Sequence, residues 1–333
     1  MNQFQPVIPN VYTLALPLPF ELQSVNVHLI KLDDGWMLVD CGMQTDAAWQ
    51  MLEAAVAQMG LHWPDIRQIL LTHMHPDHMG MSATLLELTG ASLWMHAVEA
   101  KHLEIVSRGA RRLPWLDMVL TRSGVSDELQ QSMERHFQQV RGNFHDLAPH
   151  RLLHGGEQIP TAAGSFQVLW TPGHSPGHIC LYNREKQLLI SGDQILEKIT
   201  PNIAWHPNAD TLADFITSLE GLHPLEIDVI LPSHGTPFTG HRPWIANTIE
   251  HHGERCDEML RLVTGAPRSA NALVMEMWRR KLSPINHHFA VFEVLAHLEH
   301  MQRQGRVHAL ERIENGVLEW LPGQGRGVHH AAG

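Results

Sequence analysis

Four side chains that can bind a metal ion lie within the six-residue segment HMHPDH, residues 73–78, directly after the apolar run IRQILLT. Because proline has no backbone N–H to give to a sheet, Pro76 predicts that the strand ends and that a loop follows. In a turning loop, alternate side chains can converge on one point while the next pair converges on another. The segment therefore predicts two neighbouring metal ions.

Three further residues of the same chemical types lie at the ends of later predicted strands. His174 lies in TPGHSPGH, Asp193 in SGDQ and His234 in LPSHGTP, each beside a glycine. The chain has 26 histidines, so abundance alone says nothing and spacing has to decide. A single loop histidine is more often a surface residue, but this pattern favours a metal centre. Imidazole and carboxylate suit zinc, iron or manganese, and open coordination positions make such a site catalytic.

Hydrolysis is the chemistry that such a pair of ions supports. Two cations about 3.5–4 Å apart lower the pKa of a bridging water and polarise an electrophile. A hydroxide is then available at neutral pH. Asp77 is placed to orient that hydroxide and to receive its proton, so we predict Asp77 as the catalytic residue.

The elements that must position these residues alternate between strands and helices. Apolar runs end at Asp40 and at the HMHPDH segment, and helical spacing with a stop at Gly60 separates them. This strand, helix, strand order indicates a layered α/β fold. Amphipathic helices without strand signals follow at about 99–150, then four strand signals return. From about His241 the chain becomes helical and closes on a hairpin signal at residues 314–316.

The order HxHxDH, TPGHSPGH, SGD and PSHG resembles the metallo-β-lactamase superfamily, close to glyoxalase II and the glyoxalase-like hydrolases, over roughly residues 7–240. The resemblance implies an αββα sandwich with the metals at the sheet edge. It also implies that Asp40 in VDCG supports the ligands through hydrogen bonds. The ligand set it implies is His73, His75 and His174 for one metal, Asp77, His78 and His234 for the other, and Asp193 between them.

The length favours a large catalytic domain with a smaller companion. We predict a catalytic domain at 1–240, with a helical insertion at about 99–150, a winged-helix-like domain at 241–322 and a flexible tail at 323–333. The C-terminal region resembles that of the lactamase-beta-2-like branch, some members of which cut RNA.

A thioester or lactone is the expected substrate, and two zinc ions are the expected cofactor, with iron or manganese as alternatives. A ribonuclease or phosphodiesterase and a one-iron persulfide dioxygenase remain alternative functions. Four side chains of the insertion could bind an acyl group: Trp115, Met118, Met133 and Phe137. Core packing is the commoner role for such residues. Three further histidines, His96, His178 and His206, are expected to lie outside the metal centre.

Charge and cysteine content narrow the partners. A formal net charge of -11 disfavours sequence-independent binding of nucleic acid, which needs clustered Lys and Arg. The three cysteines have no paired spacing, and we expect neither export nor a membrane span, because the first residues lack a basic patch followed by an apolar run and no apolar stretch is long enough to cross a bilayer. We therefore expect a cytoplasmic protein that acts on a small-molecule ester or thioester, without a membrane or nucleic-acid partner. The sequence is compatible with a homodimer.

Overall fold

The computed structural model describes residues 3–20, 22–108, 114–140 and 147–323. The chain forms two compact units. The first unit comprises Met1–Arg111, Gln138–Pro201 and Asp214–Ala246, and the second comprises Arg112–Phe137, Asn202–Ala213 and Asn247–Gly333. The stretch predicted as an insertion at 99–150 is thus divided between the two units. Its residues 109–113 and 141–146, like residues 324–333 of the predicted tail, lie outside the described residues.

A seven-stranded sheet forms the first half of the first unit. Its strands, in both chain and spatial order, are β1 (Gln5–Ile8), β2 (Val11–Pro17), β3 (Ser24–Lys31), β4 (Trp36–Val39), β5 (Ile66–Leu70), β6 (Ser92–His96) and β7 (Arg151–Leu153). Neighbours from β1 to β4 pair antiparallel, and those from β4 to β7 pair parallel. Parallel pairing brings the C-terminal ends of β4, β5 and β6 to one edge of the sheet.

A second sheet of five strands completes the sandwich. Its strands are β8 (Gln158–Thr161), β9 (Gly164–Trp170), β10 (Ile179–Asn183), β11 (Leu188–Gly192) and β12 (Val229–Pro232). They are arranged β12-β11-β10-β9-β8, and only β11 and β12 pair parallel. The two sheets share a core of buried apolar side chains that includes Val39, Leu70 and Leu231.

The other face of the first sheet is covered by helices. Successive residues of β5 face the two sides of the sheet: Ile69 belongs to the core beneath the helices and Leu70 to the core between the sheets. The helices on this side are α1 (Asp46–Gln58), α2 (Pro76–Met79), α3 (Ser82–Thr89) and α4 (Ala97–Arg108). Helix α7 (Thr211–Leu222), whose first residues fall in the second unit, lies against the segment that follows β9 of the second sheet, where its Ser218 hydroxyl donates to the Pro172 carbonyl. A 3₁₀ turn spans Trp63–Asp65. The αββα class predicted for the chain is confirmed.

The second unit is helical with one hairpin. Its helices are α5 (Pro114–Arg122), α6 (Asp127–Val140, whose last residues fall in the first unit), α8 (His241–Gly265, which begins in the first unit), α9 (Ala270–Met277) and α10 (Pro284–Arg303). The predicted hairpin is present as β13 (Val307–Glu311) and β14 (Leu318–Pro322). Backbone and side chain of Asn271 donate to the carbonyls of Ser123 and Gly124, which ties the α5–α6 turn to the start of α9.

The helices also bear on the question of a membrane span. Within residues 3–20, 22–108, 114–140 and 147–323, no helix is both long enough and apolar enough to cross a bilayer.

Candidate metal centre

The HMHPDH segment follows β5 at the edge where the parallel strands end. Pro76 occupies the first position of the one-turn helix α2, where its missing N–H leaves no helical hydrogen bond unmade. The strand therefore ends as predicted, although a short helix rather than an open loop carries Asp77 and His78. His73 and His75 precede that helix on the extended connection from β5.

The first group of converging donors contains His73, His75, His174 and Asp193, whose candidate ligand atoms all lie within 4.8 Å of one another. His75 Nδ1 is 2.9 Å from His73 Nε2 and 3.0 Å from His174 Nε2. His174 Nε2 is 3.4 Å from Asp193 Oδ2. Three imidazoles and one carboxylate thus face a common point between the two sheets' ends.

The second group contains Asp77, His78 and His234, within the same distance limit. Asp77 Oδ2 lies 3.4 Å from His234 Nε2 and 3.7 Å from His78 Nε2. Asp193 reaches this group as well, because its Oδ1 is 3.6 Å from His78 Nε2 and 3.5 Å from His234 Nε2. One oxygen of Asp193 therefore faces each group, which is the arrangement of a bridging carboxylate.

The spacing and burial of these atoms fit bound cations. In a tetrahedral site with metal–nitrogen bonds of about 2.1 Å, neighbouring ligand atoms are about 3.4 Å apart. The separations of 3.4–3.7 Å between the imidazole nitrogens and the carboxylate oxygens of Asp77 and Asp193 are close to that value and are long for hydrogen bonds. His78 Nε2, His234 Nε2 and Asp193 Oδ1 are buried, and no hydrogen-bond partner for them is found among the described residues. Buried polar atoms rarely remain unpaired, so their convergence points to a metal centre.

The electrostatics of the centre also suit metal binding. Burial lowers the pKa of His75 to about 3, so its imidazole is neutral and its lone pair is available. Burial also opposes protonation of His234, but the carboxylates of Asp193 and Asp77 outweigh it and raise the pKa to about 10. A cation must displace that proton, so binding in this centre releases protons and depends on pH.

Asp40 orients ligands of both groups. It follows β4 and is 1% exposed, and its Oδ2 accepts hydrogen bonds of 2.8 Å from His78 Nδ1 and from the Thr72 hydroxyl. Thr72 Oγ1 lies 3.1 Å from His73 Nδ1, and the Thr72 N–H donates to Asp40 Oδ1. Both imidazoles therefore turn Nε2 toward the centre. The backbone φ of Asp40 is +59°, a conformation that Asp and Asn adopt more readily than most residues.

His178 supports the centre without joining either group. Its Nε2 accepts the backbone N–H of Asp193 at 3.0 Å, and its Nδ1 is 2.8 Å from the Thr171 hydroxyl. His96 is stacked on Trp170, with ring centroids 5.1 Å apart. The ring of His206 donates to the carbonyl of Pro207 in the second unit. None of the three belongs to the two groups found among the described residues.

Two further contributors carried no motif in the sequence. Asn26 on β3 donates its amide N–H groups to the carbonyls of Pro232 and Gly235, on either side of His234. Glu99, in the first turn of α4, accepts the N–H groups of Met74 and Gly177. The partners are 78 or more residues away in three of these four bonds, so no local spacing in the sequence could have indicated them.

The four side chains predicted to contact an acyl group have different environments. Trp115 packs edge to face on Trp205 in the second unit, with ring centroids 6.2 Å apart. Met133 is buried, and Met118 is 52% exposed. The side chain of Phe137 lies outside the described residues. Met133 therefore packs as a core residue, whereas Trp115 is partly buried.

Comparison with known proteins gives one consistent result. The family model described as the metallo-β-lactamase superfamily matches residues 21–234, and the model described as the metallo-β-lactamase-like C-terminal domain matches residues 256–320. The probable metallo-hydrolase YqjP of Bacillus subtilis is 24% identical over 93% of this chain and 95% of its own length. The acyl-coenzyme A thioesterase MBLAC2 of Gallus gallus is 27% identical over 65% of this chain and 74% of its own length.

A solved structure agrees over nearly the whole chain. The metallo-beta-lactamase family protein TTHA1429 from Thermus thermophilus superposes with a TM-score of 0.85 at 29% identity, covering 95% of this chain and all of that one. The likeness includes both the region of the sandwich and the C-terminal region.

Proposed function

The chain belongs to the metallo-β-lactamase superfamily, and on that premise we propose that it is a dinuclear metal-dependent hydrolase of thioesters and related esters or lactones. The family supports hydrolase activity in general. The observation that carries the proposal is the convergence of seven side chains in two groups that share Asp193.

We assign His73, His75 and His174 to one ion, Asp77, His78 and His234 to the other, and Asp193 to both. Zinc is the first choice because it favours four-coordinate sites rich in imidazole, and iron and manganese are the alternatives. When bound, the two ions would supply a hydroxide at neutral pH and polarise the substrate carbonyl.

Asp77 is the residue of the centre best placed to handle a proton. Its side chain is 21% exposed, against 10% for Asp193, so it is the more accessible of the two carboxylates to water. Burial raises its pKa, but His78 and His234 outweigh that effect and hold the pKa at about 2. Asp77 is therefore ionised at neutral pH and can orient the attacking water and accept its proton.

A thioester is preferred as the substrate class for two reasons. The relative from Gallus gallus, an acyl-coenzyme A thioesterase by name, aligns with 65% of this chain. The net charge of -11 disfavours a long polyanion such as RNA, which gains most of its affinity from neutralised phosphates. We further propose that the helices and hairpin of the second unit form a winged-helix-like module used for packing or for a homodimer contact.

Metal analysis joined to a substrate panel tests the proposal. The purified protein should hold close to two divalent ions per chain, and chelation should abolish hydrolysis until metal is restored. Among acyl thioesters, lactones, phosphodiesters and RNA, thioesters or lactones should be cleaved fastest. A single ion at saturation would contradict the dinuclear assignment. Faster cleavage of RNA or of a phosphodiester would contradict the substrate class, and consumption of a persulfide with oxygen would indicate the dioxygenase alternative.

A further inference from the structure

Glu99 is a completely buried carboxylate that belongs to neither group of candidate ligands. It lies in the first turn of α4, immediately beyond the end of β6, and is 0% exposed. An isolated buried carboxylate is costly unless hydrogen bonds compensate for its lost hydration. The position of Glu99 therefore requires specific partners.

Its two oxygens bind two different ligand-bearing segments. Oε1 accepts the N–H of Met74 at 2.9 Å, and Met74 lies between His73 and His75. Oε2 accepts the N–H of Gly177 at 2.7 Å, three residues after His174. Hydrogen bonds of this length to an ionised acceptor are among the strong ones in proteins. One side chain thus fixes the distance between the two segments that supply the three imidazoles of the first group.

The close approach around Glu99 allows few alternatives. A Cβ on Gly177 would collide with the backbone nitrogen of Glu99, so only glycine lets the segment rest on α4. The same segment has a second hydrogen bond, because the indole N–H of Trp170 donates to the Pro176 carbonyl at 3.1 Å. Trp170 is in turn stacked on His96, which precedes α4. The start of α4 and the segment before His178 therefore form one closely packed contact.

We propose that Glu99 is a positioning residue that sets the metal affinity of the first group while touching neither ion nor substrate. This inference rests on the proposed dinuclear centre. The second group depends on Asp77 and His78, carried by α2, and on His234, whereas the two backbone N–H groups bound by Glu99 belong to Met74 and Gly177, which lie next to or near the imidazoles of the first group. Loss of the Glu99 contacts should consequently weaken one metal site far more than the other.

The test is a metal titration of the Glu99→Gln variant. Glutamine keeps the size of the side chain and one acceptor oxygen, but its amide group opposes an N–H donor and breaks one of the two bonds. Zinc is titrated against a competing chelator into metal-free wild type, Glu99→Gln and the control Glu104→Gln, which alters an exposed glutamate of the same helix. Glu99→Gln should lose about 10–100-fold in affinity at one site, as is typical for groups that orient ligands, with less than about threefold at the other.

A purely structural role would give a different result. It would lower the melting temperature of the metal-free protein and leave both affinities of the folded protein close to those of wild type. Amide hydrogen exchange at Met74 and Gly177 supplies a direct readout, and at least one of these amides should exchange faster in Glu99→Gln. If that variant does not fold, Gly177→Ala, which pushes the segment from α4 but keeps the carboxylate, should show the same one-sided loss.

The outcomes separate this inference from the proposed function. If wild type binds two ions and Glu99→Gln binds both with unchanged or equally weakened affinity, the positioning role is wrong and the dinuclear proposal stands. If wild type binds fewer than two ions, the proposed function fails and the inference fails with it.

Discussion

Replacing Asp40 by asparagine should weaken metal binding at both ions of the centre. The change removes a charge and one acceptor oxygen but keeps the shape of the side chain. Asparagine also tolerates the φ of +59° at this position, whereas alanine would add backbone strain to the measurement. Asp40→Asn therefore isolates the effect of the hydrogen bonds.

The size of the effect follows from the three bonds that Asp40 accepts. Its Oδ2 accepts hydrogen bonds from His78 Nδ1 and from the Thr72 hydroxyl, and the oxygen of that hydroxyl lies 3.1 Å from His73 Nδ1. An amide group at that place donates toward His78 Nδ1 and favours the tautomer that carries its proton on Nε2, which cannot bind a metal. Loss of such an orienting group costs about 10–100-fold in affinity. At about 1.36 kcal/mol per tenfold change, this corresponds to about 1.4–2.7 kcal/mol.

Chelator-competition titrations of wild type and Asp40→Asn, with stoichiometry from elemental analysis, measure this effect. Asp34→Asn, which removes an exposed charge from the turn before β4, is the matched control and should bind metal as wild type does. The site containing His78 should weaken most, and the site containing His73 should weaken less because Thr72 intervenes. Unchanged affinity at both sites in folded Asp40→Asn would refute the orienting role.

Three further predictions concern other residues. Asp193→Ala should lose at least one ion by elemental analysis and His178→Ala should keep two, since His178 binds the backbone N–H of Asp193 and not its carboxylate; equal metal loss would argue against the bridge. Burial lowers the pKa of His252 to about 3 and of His297 to about 4, from about 6.5 when unfolded. Below about pH 6.5, protons therefore bind these histidines in the unfolded chain in preference to the folded one, and each histidine should cost about 2 kcal/mol of stability at pH 5. In denaturant unfolding, His252→Gln should lose about 2 kcal/mol less stability than wild type between neutral pH and pH 5. An unchanged pH dependence would contradict the assignment. Because Trp115 packs on Trp205, Trp115→Ala should lower Tm and leave the ranking of short- and long-chain thioesters by kcat/KM unchanged, whereas a selective loss on long chains would favour the acyl contact predicted from the sequence.

Local patterns in the sequence predict well the strand ends that carry the candidate ligands. A strand that is covered on both faces reads as an apolar run, and a polar residue beside glycine or proline marks where it stops. This reasoning selects His174, Asp193 and His234 although they lie far apart in the chain, and the structure brings all three to the segment at 73–78. The same alternation of strands and helices indicates a layered α/β fold, and the resemblance to the metallo-β-lactamase superfamily implies its αββα arrangement.

Contacts between distant segments could not be predicted in this way. Glu99 resembles any acidic residue in a first helical turn, where the helix dipole favours negative charge, and its partners lie 25 and 78 positions away. Asn26 resembles any polar residue in a strand until its contacts with the last residue of β12 and with the turn that follows are known.

The sequence also does not show which of the two units contains the helices of the predicted insertion. Amphipathic spacing shows that α5 and α6 bury one face but does not show what covers it. The structure places most of both helices with the C-terminal region, where the turn between them is bonded to Asn271.

The candidate ligands come from both sheets of the sandwich, and this has a consequence for how the protein withstands proteases. His73 and His75 follow a strand of the first sheet, while Asp193 and His234 follow strands of the second. An ion held by this set is a cross-link between the two sheets, and their separation would require its release. A ligand that binds only the folded state adds about 4 kcal/mol of stability when its free concentration is about a thousandfold above Kd. Removal of metal would then shorten the lifetime of the folded sandwich during digestion, with early cleavage expected in the connections between the sheets.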